Sequence, residues 1–158
     1  MVDPKRSAAY ERLYKQLEPL IREKSPDLVA GMATIAALLH AKLRHHSWTG
    51  FYFVTGADEL HVGPYQGPVA CQVLKGRGVC LASVIRKAAV VVPDVEAFPG
   101  HIACDSRSRS EIVIPLIKSG TVIAVLDIDS EKLSSFDDDD IQPLGRIVAL
   151  LEPLCTSD

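Results

Sequence analysis

The sequence predicts an α/β domain, α+β in strict terms, with a central, mostly antiparallel sheet and helices packed on it. Three observations carry this. Two nearly continuous apolar runs, Glu111 to Lys118 and Thr121 to Ile128, meet at Ser119-Gly120, the pattern of paired strands in a covered sheet. A second strand pair is written around Gly56-Ala57-Asp58. Helical periodicity holds both ends of the chain.

Taken in order, Lys5 to Glu23 repeats Tyr10, Leu13, Tyr14, Leu17, Leu20 and Ile21 at helical spacing. Ser25-Pro26-Asp27 ends that helix and starts another, with Ser25 as cap and Pro26 in the first turn. The second helix is apolar on more than one face (Leu28, Val29, Met32, Ile35, Leu38, Leu39) and is expected to be well buried. Gly50 to Thr55 and Leu60 to Tyr65 form a hairpin, and Val69 to Val73 reads as a short strand. Gly78 to Lys87 suits a short helix, and Val90 to Val92 a strand ended by Pro93. Asp94 to Arg109 is a long irregular stretch, a length that in compact domains usually serves function. A final helix is expected from about Asp137 to Leu154, opened by a capping-box-like Ser135-x-x-Asp138.

The chain has 158 residues, 47% hydrophobic and 23% charged, which fits one folded domain. The formal net charge is −3 and the Lys and Arg residues are scattered, so no nucleic-acid partner is expected. No apolar stretch follows the first residues and Leu28 to Leu43 is too short for a span, so neither secretion nor a membrane is expected and the location reads as cytoplasmic. The four cysteines, Cys71, Cys80, Cys104 and Cys155, lack zinc-ligand spacing, which leaves buried thiols or redox chemistry.

Four features converge on one site. Cys71 and Gly76-Arg77-Gly78-Val79-Cys80 form the first; Phe98 to Ser106, with Cys104 in mid-loop, the second. Glu111 opens one central strand, while Asp127 and Asp129 close its hairpin partner. Alternation puts Asp127 and Asp129 on one face, beside the start of the strand carrying Glu111. Clustered carboxylates suit a ligand ammonium, and one of them can stay protonated as a general acid. Trp48 and Tyr52 are candidate walls. The plainer alternatives are a solvated strand end for Asp127 and Asp129, core roles for the aromatics, a helix start for Asp137 to Asp140, and an exposed loop position for His101.

These motifs resemble the free methionine-(R)-sulfoxide reductases, a GAF-type family. The resemblance lies in Gly76-Arg77-Gly78-Val79-Cys80, in Val92-Pro93-Asp94 through Phe98-Pro99-Gly100-His101-Ile102-Ala103-Cys104-Asp105-Ser106, and in Ser108-Arg109-Ser110-Glu111. Trp48-x-Gly50-Phe51-Tyr52, Gly63-Pro64-Tyr65-Gln66-Gly67 and Leu126-Asp127-Ile128-Asp129-Ser130 are similar as well. The resemblance implies one GAF-like domain over residues 1–158, with 1–24 as an N-terminal helix and 25–158 as the family core, and a loop-covered small-ligand pocket. It implies reduction of free methionine-(R)-sulfoxide through sulfenic acid and disulfide intermediates, with thioredoxin as reductant and no cofactor or metal. It casts Cys104 as nucleophile and either Cys71 or Cys80 as the resolving thiol. Glu111, Asp127 and Asp129 match acids that bind substrate or move protons, and Trp48 and Tyr52 match pocket aromatics. In GAF proteins the N-terminal helix often joins dimer contacts, so a homodimer is possible within this reading. A ligand sensor without turnover and a purely structural domain are the competing classes; three family-matching thiols favour the enzyme.

Overall fold

The computed structural model describes residues 2–102 and 104–156; Ala103, within the Cys104 loop motif, lies outside them. Helix α1 (Pro4–Pro19) starts where Asp3 accepts a hydrogen bond from the Lys5 N–H and Pro4 presets the first turn. Pro19 lacks an N–H, and the helix widens there into a π turn over Leu20–Lys24. Helix α2 (Leu28–Lys42) follows, then strands β1 (Trp48–Gly56), β2 (Glu59–Gln66) and β3 (Val73–Lys75). Helix α3 (Val79–Arg86), strand β4 (Val90–Val92), strands β5 (Ser110–Lys118) and β6 (Thr121–Ser130) and helix α4 (Ile141–Ala149) complete the order.

The six strands form one sheet in the order β3-β2-β1-β6-β5-β4, antiparallel at every pairing. Ser119 and Gly120 both take positive φ (52° and 80°), the tight turn whose twist matches that of the strands it joins. One face carries Phe51, Ile112, Ile114, Leu126 and Ile128 into a core closed by α1, α2 and α4. The opposite face carries Trp48, Tyr52, Val92, Val113 and Val125 toward α3 and the 93–109 loop. The polar residues of the site lie on this second face.

Local chemistry shifts several expected boundaries. Asp27, not Ser25, caps α2 by accepting from the Ala30 N–H; the Ser25 hydroxyl instead donates to the Leu20 carbonyl, closing the π turn behind it. Only one side of α2 is deeply buried: Met32, Ile35, Ala36 and Leu39 face the core while Val29 is 54% exposed. The strand expected at Val69 to Val73 begins at Val73, because only 73–75 reach β2 in register. The C-terminal helix is short: a turn at Asp138–Asp140 precedes α4, and another at Glu152–Leu154 follows it, where Pro153 removes a donor. Its capping box is Asp137 with Asp140, whereas the Ser135 hydroxyl turns to Ser130 at 2.7 Å. Asp140 is fully buried and accepts from Tyr10 (2.8 Å) and Arg6 (3.1 Å), tying α1 to α4. Among the described residues, no helix is long and apolar enough to cross a membrane.

Candidate active site

Cross-strand register builds the floor. Asp129 on β6 lies between Trp48 on β1 and Glu111 on β5, and Asp127 lies between Gly50 and Val113. Because side chains alternate along a strand, all of these point to the α3 face. Glu111 and Asp127 are buried, which rules out the solvated-turn alternative for Asp127; Asp129 is half-buried. Carboxyl oxygens of Glu111 and Asp127 and the sulfur of Cys80, from the first turn of α3, lie within 4.8 Å of one another.

These groups shape one another's ionisation. Burial, then the charges of Asp127 and Asp129, push the Glu111 carboxyl well above the ordinary carboxylate range. Burial raises Asp129 in the same way, with Asp127 and Asp105 adding to it. Asp127 is also raised by burial, but hydrogen bonds from Glu111 and Cys80 oppose that shift by favouring its ionised form. Its Oδ1 is buried without a hydrogen-bond partner, an unsatisfied acceptor in the floor of the cavity. Burial, with Asp127, Glu111 and Asp129 nearby, lifts the Cys80 thiol far above the usual thiol range, so Cys80 stays protonated.

The walls are aromatic. Trp48 stacks on Tyr52 (5.7 Å between ring centroids) and on Tyr65 (5.2 Å), and its Nε1–H donates to the Pro68 carbonyl. Gly50 makes room for this ring: a Cβ there would overlap Tyr65 Cβ and lie 2.6 Å from the indole. Gly50→Ala is therefore expected to displace Trp48 and destabilise the protein by about 1–3 kcal/mol, the usual cost of overpacking. Thermal unfolding together with fluorescence of the sole tryptophan checks this; an unchanged melting temperature and spectrum would show that the strands absorb the methyl group.

The mouth is made by the loops. The 93–109 loop is pinned near the acids by Val95 N–H to the Arg109 carbonyl (2.9 Å) and Arg109 N–H to the Ser130 carbonyl (2.7 Å). It carries Cys104, exposed at the rim, and His101 and Ile102, which line the cavity. Cys104 is joined by a disulfide to Cys71, 33 residues earlier, with a Cα–Cα distance of 5.5 Å; Cys80 and Cys155 remain buried thiols. Tyr52 Oη–H donates to the Cys71 carbonyl (2.9 Å) and so holds that segment at the rim. Gly78 caps α3 at φ 109° without a side-chain bond, and this N-terminus, from Gly78 to Cys80, lines the cavity next to Arg77.

All eight sequence candidates, Cys71, Cys80, Cys104, Glu111, Asp127, Asp129, Trp48 and Tyr52, stand in or at the edge of this one cavity. The structure adds Arg77 and His101 to the lining, and Tyr65 behind Trp48. His101 is not the exposed loop residue that its position suggested: its side chain is 17% exposed and Nε2 lies 3.8 Å from Glu111 Oε2. Burial lowers the His101 pKa, and burial with Asp127 and Asp129 raises that of Glu111, so both shifts favour the neutral forms at this contact. The neighbourhood of His101 and Glu111 depends on how the loop folds back over β5, which no local spacing encodes.

Comparison with known proteins matches the GAF domain family over residues 25–152. The free methionine-R-sulfoxide reductase of Escherichia coli is 46% identical over 132 residues, covering 82% of this chain and 79% of the relative. GAF domain-containing protein A of Dictyostelium discoideum is also 46% identical, covering 90% of each chain. The X-ray structure of free methionine-R-sulfoxide reductase from Neisseria meningitidis, in complex with its substrate, superposes with a TM-score of 0.89 at 44% identity, covering 97% of this chain and 90% of that one. The GAF fold and more than 40% of the aligned residues are thus shared with these reductases, and the chain belongs to the free methionine-R-sulfoxide reductase family of GAF-domain oxidoreductases.

Proposed function

We propose that this protein reduces free L-methionine-(R)-sulfoxide to methionine, with Cys104 as nucleophile and Cys71 as resolving thiol. The observation that carries the reading is the Cys71–Cys104 disulfide at the mouth of a cavity floored by Glu111, Asp127 and Asp129. In the reduced enzyme the Cys104 thiolate, the nucleophilic form of the side chain, attacks the sulfoxide sulfur. Glu111, held protonated, gives its proton to the sulfoxide oxygen as the S–O bond breaks. The protonated oxygen passes from the substrate sulfur to Cys104 Sγ as the bond between the two sulfurs breaks, so methionine leaves with its thioether sulfur and Cys104 becomes the sulfenic acid. The Cys71 thiol then attacks Cys104 Sγ, water departs, and the disulfide forms. Two electrons pass from two thiols to one sulfoxide.

The pocket also explains selection of the free amino acid. Asp127, whose ionised form is favoured by hydrogen bonds from Glu111 and Cys80 and which keeps an unpartnered oxygen, suits the ammonium, and the α3 N-terminus with Arg77 suits the carboxylate. A peptide-bound residue offers neither charge and would leave buried groups unpaired. Trp48 and Tyr52 supply the apolar wall for the S-methyl end, with Tyr65 stacked behind Trp48. Thioredoxin recycles the disulfide by thiol–disulfide exchange in the cytoplasm, and α1 contributes to a homodimer.

The test is methionine release from the separate R and S epimers with thioredoxin, its reductase and NADPH. Release from R alone is expected; release from neither by reduced, folded protein would leave a ligand sensor. Cys71→Ser is expected to release about one methionine per enzyme and then stall, because the sulfenic acid lacks its partner thiol. Sustained thioredoxin-driven turnover in that variant would move resolution to Cys80.

A further inference from the structure

A second concavity borders the disulfide mouth. It is lined by Arg44, His45, Ser47, Arg107 and Lys132, with Glu131 as its one carboxylate. Pro68 lines both this groove and the catalytic cavity, so the two share an edge. Arg107 donates to Asp105, the residue after Cys104, at 3.2 Å and approaches Glu131 at 3.8 Å, which neutralises much of its charge. Arg44 and Lys132 are exposed and belong to no ion pair among the described residues. His45 Nε2 and Ser47 Oγ are buried polar atoms without partners. The groove is therefore cationic on a chain whose formal net charge is −3. Val69, next to Pro68 on the cavity rim, is 82% exposed. An apolar side chain beside unpaired cations fits the surface of a partner protein better than a small anion, which would leave the valine uncovered.

We propose that this groove is the docking face for a protein dithiol reductant with acidic residues around its dithiol. This rests on the reading of Cys71–Cys104 as the catalytic disulfide. Arg44 and Lys132 attract the acidic rim, Val69 and Pro68 meet its apolar part, and the partner's thiol is set over the exposed disulfide. The reductant's thiolate bonds to one sulfur of the pair while the S–S bond breaks, and the released cysteine takes up a proton. The reductant's second thiol then displaces the enzyme sulfur. Two thiols are restored on the enzyme and one disulfide forms on the reductant.

The test compares turnover driven by thioredoxin with turnover driven by dithiothreitol, in the wild type and in Arg44→Glu/Lys132→Glu, across ionic strength. Arg44→Ala/Lys132→Ala serves as the milder version. In the wild type, kcat/KM for thioredoxin should fall with added salt; the charge-reversed variant should lose about tenfold at low salt and show a flat salt response. Dithiothreitol-driven turnover and the KM for methionine sulfoxide should be unchanged. Equal thioredoxin kinetics in all three proteins would overturn the docking proposal while leaving the thioredoxin reading intact. A wild type sustained by dithiothreitol but not by thioredoxin would overturn both. Competitive inhibition of thioredoxin by inorganic phosphate at constant ionic strength would reassign the groove to a small anion.

Discussion

Cys104→Ser is expected to abolish methionine release from the R sulfoxide, with a loss of about a thousandfold or more, the scale seen when a covalent nucleophile is removed. The hydroxyl that replaces the thiol is a poor nucleophile at neutral pH, and the other thiol in the cavity, Cys80, is held protonated by burial and three nearby acids. Cys80 therefore does not take over. Because Cys104 is exposed, the substitution leaves the core intact, and its melting temperature should equal that of reduced wild type. Oxidised wild type should unfold at a higher temperature than either, since cross-linking residues 33 apart removes roughly 4 kcal/mol of unfolded-chain entropy in the loop-closure model. Single-turnover methionine release and thermal unfolding of the three forms check this together. Substantial release by Cys104→Ser would transfer the nucleophile to Cys80.

Glu111→Gln is expected to lower kcat by about a hundredfold or more, the usual worth of a positioned general acid, with a smaller change in KM. Burial and the neighbouring Asp127 and Asp129 raise the Glu111 pKa well above the ordinary carboxylate range, which favours the protonated form that donates to the sulfoxide oxygen. Wild-type kcat should fall as pH rises through that raised pKa, and the glutamine variant, with no proton to lose, should not show this limb. The same shift sets the sign of stability. A carboxyl raised in the folded state contributes stability that is fully present below its unfolded value, about 4.3, and is lost as pH rises through the folded pKa. Reduced, ligand-free Glu111→Gln should thus gain on the wild type as the solution becomes more alkaline. Pre-steady-state rates and melting temperatures across pH measure both. An unchanged kcat would move the proton donor to Asp129, which burial also raises.

Much of this was legible because it is local. The apolar runs flanking Ser119-Gly120 specify β5 and β6, and side-chain alternation then places Asp127 and Asp129 on one face near Glu111. Where local signals compete, the outcome was not legible. Ser25 and Asp27 are both good caps, and the π turn after Pro19 takes the serine, leaving the aspartate to α2. Ser135 and Asp137 compete in the same way before α4, and the link from Ser135 to Ser130 decides it.

By itself the sequence determined an antiparallel sheet with helices at both ends, a carboxylate cluster at the end of one hairpin, and a cysteine loop leading into it. These follow from patterns only a few residues long, whose physics is steric and hydrophobic. Only the tertiary structure decided that β1 pairs with β6, setting Trp48 opposite Asp129, and that Cys71 rather than Cys80 is bonded to Cys104. It also turned His101 in against Glu111 and gathered Arg44 and Lys132 in a groove that meets the cavity at Pro68. Cys80 is nearer Cys104 in sequence than Cys71 is, yet the first turn of α3 buries its thiol among the acids, while Tyr52 holds the Cys71 segment at the rim within reach of the loop. Which thiols meet is set by the packing of α3 and the loops over the sheet, a long-range outcome that spacing along the chain does not carry.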